Sequence, residues 1–100
     1  MRNASLRAVT LAASGVTRIA EPSKHRRVLT FSPNQSAGYT VAMDAAVADN
    51  GGLVITAGGG CVTLTFEAVG TLVQQAWFAR NATAGAIVVG VLEAFELSER

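Results

Sequence analysis

Three segments of this chain alternate residue by residue, and that period of two restricts the fold more than any other feature. Arg27, Leu29 and Phe31 alternate with Val28 and Thr30; Tyr39, Val41 and Met43 with Thr40 and Ala42; and Val62, Leu64 and Phe66 with Cys61, Thr63 and Thr65. Successive side chains on a strand point to opposite faces, so this is the pattern of half-buried strands. Turn residues interrupt the alternation at short intervals, at Ser14-Gly15, Glu21-Pro22-Ser23, Ser32-Pro33-Asn34, Asp49 to Gly52, Gly58 to Gly60, Val69-Gly70-Thr71 and Asn81 to Gly85. The punctuation predicts about eight strands, near 6–12, 16–20, 26–32, 38–43, 53–57, 61–66, 72–79 and 86–95. Only Ala42 to Ala48 reads as helical, for at most one turn, given the β-branched residues and glycines around it. Many short strands without crossover helices make the chain all-β, and eight of them favour an antiparallel, jelly-roll-like β-sandwich. With 100 residues it is read as a single domain spanning 1–100, with residues 1–5 as a flexible N-terminal arm and 97–100 as a flexible tail.

Charge then limits what the surface does. Only 15% of the residues are charged, against ~25% in soluble domains. A small domain exposes the most surface per residue, so a shortage of charge points to a surface covered by other protein. The last predicted strand, Ala86-Ile87-Val88-Val89-Gly90-Val91-Leu92, is apolar on both faces, which requires either burial within the fold or a subunit contact. Charge is also uneven. Residues 1–27 carry six cations against Glu21, a net +5, and residues 28–100 carry Arg80 and Arg100 against six acids, a net −4. Such polarity suits docking on an acidic surface or head-to-tail contact between copies. Five net positive charges without interleaved aromatics do not make a nucleic-acid stripe. No run approaches the ~20 apolar residues of a membrane span, and Arg7 and Thr10 interrupt the segment that would serve as a signal-peptide core.

The stretch Ile55-Thr56-Ala57-Gly58-Gly59-Gly60-Cys61 invites a catalytic reading that its context opposes. A phosphate-binding loop needs a lysine and a helix after its glycines. Here an alternating strand follows, and no lysine does. A nucleophilic thiol wants a histidine base within reach; the lone His25 lies in the basic turn Ser23 to Arg27, and nothing local draws Cys61 to it. One histidine and one cysteine do not close a zinc site, and a single cysteine forms no internal disulfide, which makes a reducing compartment the default. Asp44 and Asp49 flank a predicted loop and are read as bonding local backbone. The Asn-x-Ser/Thr triplets at Asn3, Asn34 and Asn81 are read as coincidental in a Ser/Thr-rich chain. The glycines themselves are read as a tight reversal joining strands Leu53 to Ala57 and Cys61 to Phe66. No enzyme and no cofactor follows from this inventory. Trp77 and Phe78 are adjacent on one strand and face opposite sides, one in the core and one outward; a single Trp is thin support for sugar binding.

The basic-led strand Arg26-Arg27-Val28-Leu29-Thr30-Phe31, the turn at Asn34, Tyr39-Thr40-Val41-Ala42, Ile55-x-Ala57-Gly58-Gly59, Val62-x-Leu64, the Trp77 strand and the Val-rich final strand ending in Glu93 together resemble the small β-sandwich structural proteins of tailed bacteriophages. Closest in kind are the capsid decoration, or cement, proteins. The resemblance implies a non-enzymatic protein on the outer surface of the virion, made in the host cytoplasm, that stabilises the head by bridging major capsid proteins, with copies associating as dimers or trimers. Similar sandwiches serve as tail, fibre or baseplate modules. The candidate contacts with capsid or subunit are the basic residues Arg2, Arg7, Arg18, Lys24, Arg26 and Arg27, together with Trp77.

Overall fold

The alternating segments form eight strands: β1 (Arg2–Leu11), β2 (Gly15–Ala20), β3 (Arg26–Phe31), β4 (Tyr39–Ala42), β5 (Leu53–Ile55), β6 (Val62–Thr65), β7 (Trp77–Asn81) and β8 (Ile87–Glu96). These come from a computed structural model that describes residues 2–47 and 51–96. The strands make two antiparallel four-stranded sheets, ordered β1-β8-β3-β6 and β2-β7-β4-β5. Such an order arises when one long hairpin, pairing β1 with β8, β2 with β7, β3 with β6 and β4 with β5, is rolled up so that alternate pairs fall in opposite sheets. It is the jelly-roll arrangement, and the sandwich predicted from the alternation is the one observed.

Both sheets point their inward phase at a common core. Leu11, Leu29, Phe31, Val89 and Val91 come from the first sheet and Ile19, Tyr39, Val41, Ile55, Trp77 and Ala79 from the second, all buried. The Trp77 ring lies 5.7 Å from that of Phe31 at a tilt of 53°, an attractive aromatic geometry. Asn81, fully buried, closes one end of the sandwich. Its Nδ2 donates to the carbonyls of Leu11, Ala12 and Gly85, and its Oδ1 accepts from the Thr83 amide and hydroxyl. The triplet that begins at Asn81 is thus a structural tie between the β1–β2 and β7–β8 turns.

Four local expectations are corrected. Strand β1 begins at Arg2, which pairs with Glu96, so residues 2–5 belong to the sheet and form no arm; the expected tail, 97–100, lies outside the described residues. The strand predicted over 72–79 begins only at Trp77. A helical turn, α1 (Phe66–Val69), and a 3-10 turn, Gly70–Gln74, precede it. Thr65 starts α1 by accepting a bond from the Ala68 amide, and Gly70 ends it at φ 64°, in the region that favours glycine. Residues 43–46 form bends and a turn instead of a helix, because the Asp44 carboxylate accepts the Ala46 amide and the Asp44 carbonyl that of Val47. Lastly, β5 and β6 lie in different sheets, so the glycines between them carry the chain across the sandwich instead of closing a hairpin. Gly58 has a φ of +66°, and a Cβ on Gly59 would stand 2.3 Å from the Thr56 hydroxyl.

Candidate interaction surface

The order β1-β8-β3 places two strands from the basic third of the chain on either side of the acidic C-terminal strand. Arg26 of β3 is 1% exposed, and its guanidinium is held on every side. Nε donates to the Val73 carbonyl at 2.8 Å, Nη1 to the Glu21 carbonyl at 2.6 Å and to Glu93 Oε2 at 2.8 Å, and Nη2 to the Gln75 carbonyl at 2.6 Å. Burial lowers its pKa from the usual arginine value, while the Glu93 carboxylate opposes the shift. From β1, Arg7 reaches the same carboxylate, with Nη2 3.4 Å from Glu93 Oε1, and also donates to the Ile19 carbonyl. The cluster therefore ties both sheets to the 3-10 turn. The open cavity beside it, about 360 Å³, is lined by Arg7, Arg18, Arg26, Glu21 and Glu93 among others.

The same arrangement removes much of the polarity visible along the sequence. Arg18 pairs with Glu21 at 3.3 Å. Arg27 lies 4.0 Å above the Phe66 ring and 3.7 Å from both Glu67 and Glu96. Lys24 is exposed, and its carbonyl accepts the Gln74 side chain. Arg2 sits at the start of β1 opposite Glu96, and its side chain lies outside the described residues. Of the surface contacts expected from sequence, Arg26 is corrected to an interior clamp. Trp77 is corrected to a core residue, 5% exposed, whose Nε1 donates to the Leu72 carbonyl. Its neighbour Phe78 faces outward on the second sheet, with Arg18 beside it on β2 and Ala42 on β4. Glu93, at the end of the Val-rich final strand, is buried.

The surface feature that does emerge is the outer face of the first sheet. Ala4, Leu6, Ala8 and Thr10 of β1 lie across from Ala94, Leu92, Gly90 and Val88 of β8. Val28 and Thr30 of β3 and Thr63 and Thr65 of β6 continue the face, joined by a 3.0 Å hydroxyl contact between Thr30 and Thr63. No charged residue occupies any of these positions, and none of them is buried. Leu6 is 74% exposed and Val88 53%. The two-sided apolar strand is thus β8, with Val89 and Val91 in the core and Val88 and Leu92 on a face that no described segment buries. A shallow groove of about 480 Å³ runs beside Leu6, lined by Arg7, Ala8, Ser32, Pro33, Val88 and Gly90 among others. Gly90 keeps it open, since a Cβ there would stand 2.6 Å from the Ser32 hydroxyl, which in turn accepts the Gly90 amide.

The catalytic alternatives acquire no geometry. Cys61 is exposed beside the Phe31 end of β3 and His25 precedes its Arg26 end, so roughly 17 Å of strand separates them. Among the described residues no three of His, Cys, Asp and Glu come together as metal ligands, and no helix is long and apolar enough to cross a membrane. Asp44 bonds local backbone, as expected, whereas Asp49 lies outside the described residues. Burial pushes the Tyr39 phenol well above its usual value, with the nearby Cys61 adding to the shift. Its hydroxyl donates to the Ser32 carbonyl at 2.6 Å.

No family model and no curated protein matches the chain. Among solved structures, it is similar to a Bacillus endospore appendage protein from work describing these appendages as a family of disulfide-linked pili. The identity is 11% and the TM-score 0.56, over 98% of this chain and 88% of that one. The resemblance to capsid decoration proteins has no counterpart in these comparisons, and what the solved structure shares with this chain is its fold.

Proposed function

We propose that this protein is a non-enzymatic structural subunit of a many-copy assembly, and that it serves as a decoration protein on the outside of a tailed-phage head. The observation that carries the reading is the unburied outer face of the β1-β8-β3-β6 sheet, whose central positions carry no charge. On a domain this small and this poor in charge, such a face is a surface for protein to cover. Bridging neighbouring capsid subunits acts through avidity, since several modest contacts per copy resist shell expansion together. The sugar-binding alternative loses its aromatic, because Trp77 is in the core.

The test is addition of purified protein to mature heads that lack it, followed by imaging and by challenge with heat and low salt. Saturable binding at hundreds of copies per particle, with increased resistance, is the expected result. Absence of binding, or heads equally labile with and without the protein, overturns the capsid reading. A second reading is a building block of a filament or tail, favoured by the fold likeness to the endospore pilus protein. Polymerisation of the isolated protein, or a dozen or fewer copies at the tail, selects it.

A further inference from the structure

We infer that the outer face of the β1-β8-β3-β6 sheet is a two-fold interface that receives a second copy of this chain, an inference that rests on the assembly reading and gives it a partner. Charge favours this occupant. A two-fold interface brings one patch against itself, so any charge near its axis meets its own like; the centre of this face, from Ala4 to Thr10 of β1 and Val88 to Ala94 of β8, carries no outward charged residue and has no such conflict. The cation beside the groove, Arg7, is already held by Glu93 and the Ile19 carbonyl, and the charged groups Arg27, Glu67 and Glu96 gather at one end as a rim, where Arg2 pairs with Glu96 along the strands.

Shape points the same way, because the face carries both a knob and a hole. Leu6 projects at 74% exposure, and directly beside it lies the groove kept open by Gly90 and floored by Ala8. Each copy therefore offers the leucine that the other copy's groove receives. The four strands contribute 10, 10, 6 and 4 residues. At about 3.4 by 4.8 Å of sheet plane per residue the whole face, its charged rim included, covers roughly 500 Å² per copy, ~1,000 Å² across the pair. That is the lower bound of specific interfaces, so the dimer is a weak one that dissociates on dilution. In it the second sheets face outward, each presenting Phe78 to a separate neighbour. Two identical outward surfaces are what a bridging protein requires.

Sedimentation equilibrium from about 1 to 300 μM tests this on the wild type, Leu6→Glu, Val88→Glu and, as a control on the other sheet's outer face, Val54→Glu. Circular dichroism confirms that each variant folds, since all three side chains are at least 40% exposed. A concentration-dependent wild-type dimer is expected. Leu6→Glu and Val88→Glu should weaken it on the order of 100-fold, because each substitution enters the interface twice, and Val54→Glu should leave it unchanged. A wild type that stays monomeric throughout overturns the inference, as does a dimer indifferent to Leu6→Glu and Val88→Glu, or one broken by Val54→Glu. Binding to heads distinguishes the two readings. A monomer that needs Leu6 to bind heads overturns the self-interface and assigns the face to the capsid. A face-to-face dimer that ignores heads supports the interface and overturns the decoration role.

Discussion

Replacing Arg26 with methionine tests whether the buried cluster holds this sandwich together. The substitution keeps an unbranched apolar stem and removes the guanidinium. Glu93, 7% exposed, loses the partner at 2.8 Å and keeps only Arg7 at 3.4 Å. Breaking a buried pair by removing one member costs about 3–5 kcal/mol, and the surviving Arg7 contact places the loss near the lower end. Three carbonyls also lose their donor. Those of Glu21 and Gln75 are partly buried and regain water, whereas that of Val73 is in the buried part of the cluster and adds about 1 kcal/mol. The sum is about 4 kcal/mol, a large share of the 5–15 kcal/mol that stabilises a domain, and corresponds to a fall in Tm of about 15–30 °C. Trp77, the only tryptophan, reports it directly in urea unfolding, since its indole bonds to Leu72 in the turn that Arg26 clamps. The double variant Arg26→Met/Glu93→Met separates the two contributions: removing the stranded carboxylate should recover about three-quarters of the loss and leave the carbonyl part. A single variant within about 1 kcal/mol of wild type would refute the reasoning. So would full recovery in the double variant, because the carbonyl clamp would then contribute nothing.

Tyr39 is the only tyrosine, so absorbance at 295 nm follows one group. Its folded pKa is raised, so the stability tied to the neutral phenol is complete below the unfolded value of about 10 and is lost as pH rises beyond it. Ionisation should therefore coincide with alkaline unfolding, and Tyr39→Phe should cost about 1 kcal/mol at neutral pH while reducing the alkaline loss. Asn81→Ala should destabilise by about 2–3 kcal/mol in urea titration, since it leaves the Leu11 and Ala12 carbonyls and the Thr83 amide without their partner. Cys61→Ser should leave urea stability within about 0.5 kcal/mol of wild type, because the side chain is exposed.

Legibility from sequence followed the range of the interaction. The alternation of Leu29, Phe31, Val62 and Leu64 announced their inward phase, because period two is a property of each strand alone. Thr65-Phe66-Glu67 carried a helix-start signal, a capping threonine followed by an acid in the first turn, that the apolar residues after it obscured. Trp77 and Phe78 were known to face opposite ways, but which one was buried depended on the side of β7 that the other sheet covers. The roles of Asn81 and Glu93 had no local signal, since their partners lie up to 86 residues away.

The sequence by itself determined that this chain is a single all-β sandwich with a charge-poor surface and no catalytic motif, because turn chemistry and alternation are written into neighbouring residues. Only the tertiary structure decided where its charges and apolar faces lie. Antiparallel pairing of β8 between β1 and β3 brings Glu93 to Arg7 and Arg26, turning a basic third and an acidic end into an interior clamp. The same pairing leaves Leu6 and Val88 on an uncharged outer face, because β8 has the core on one side only.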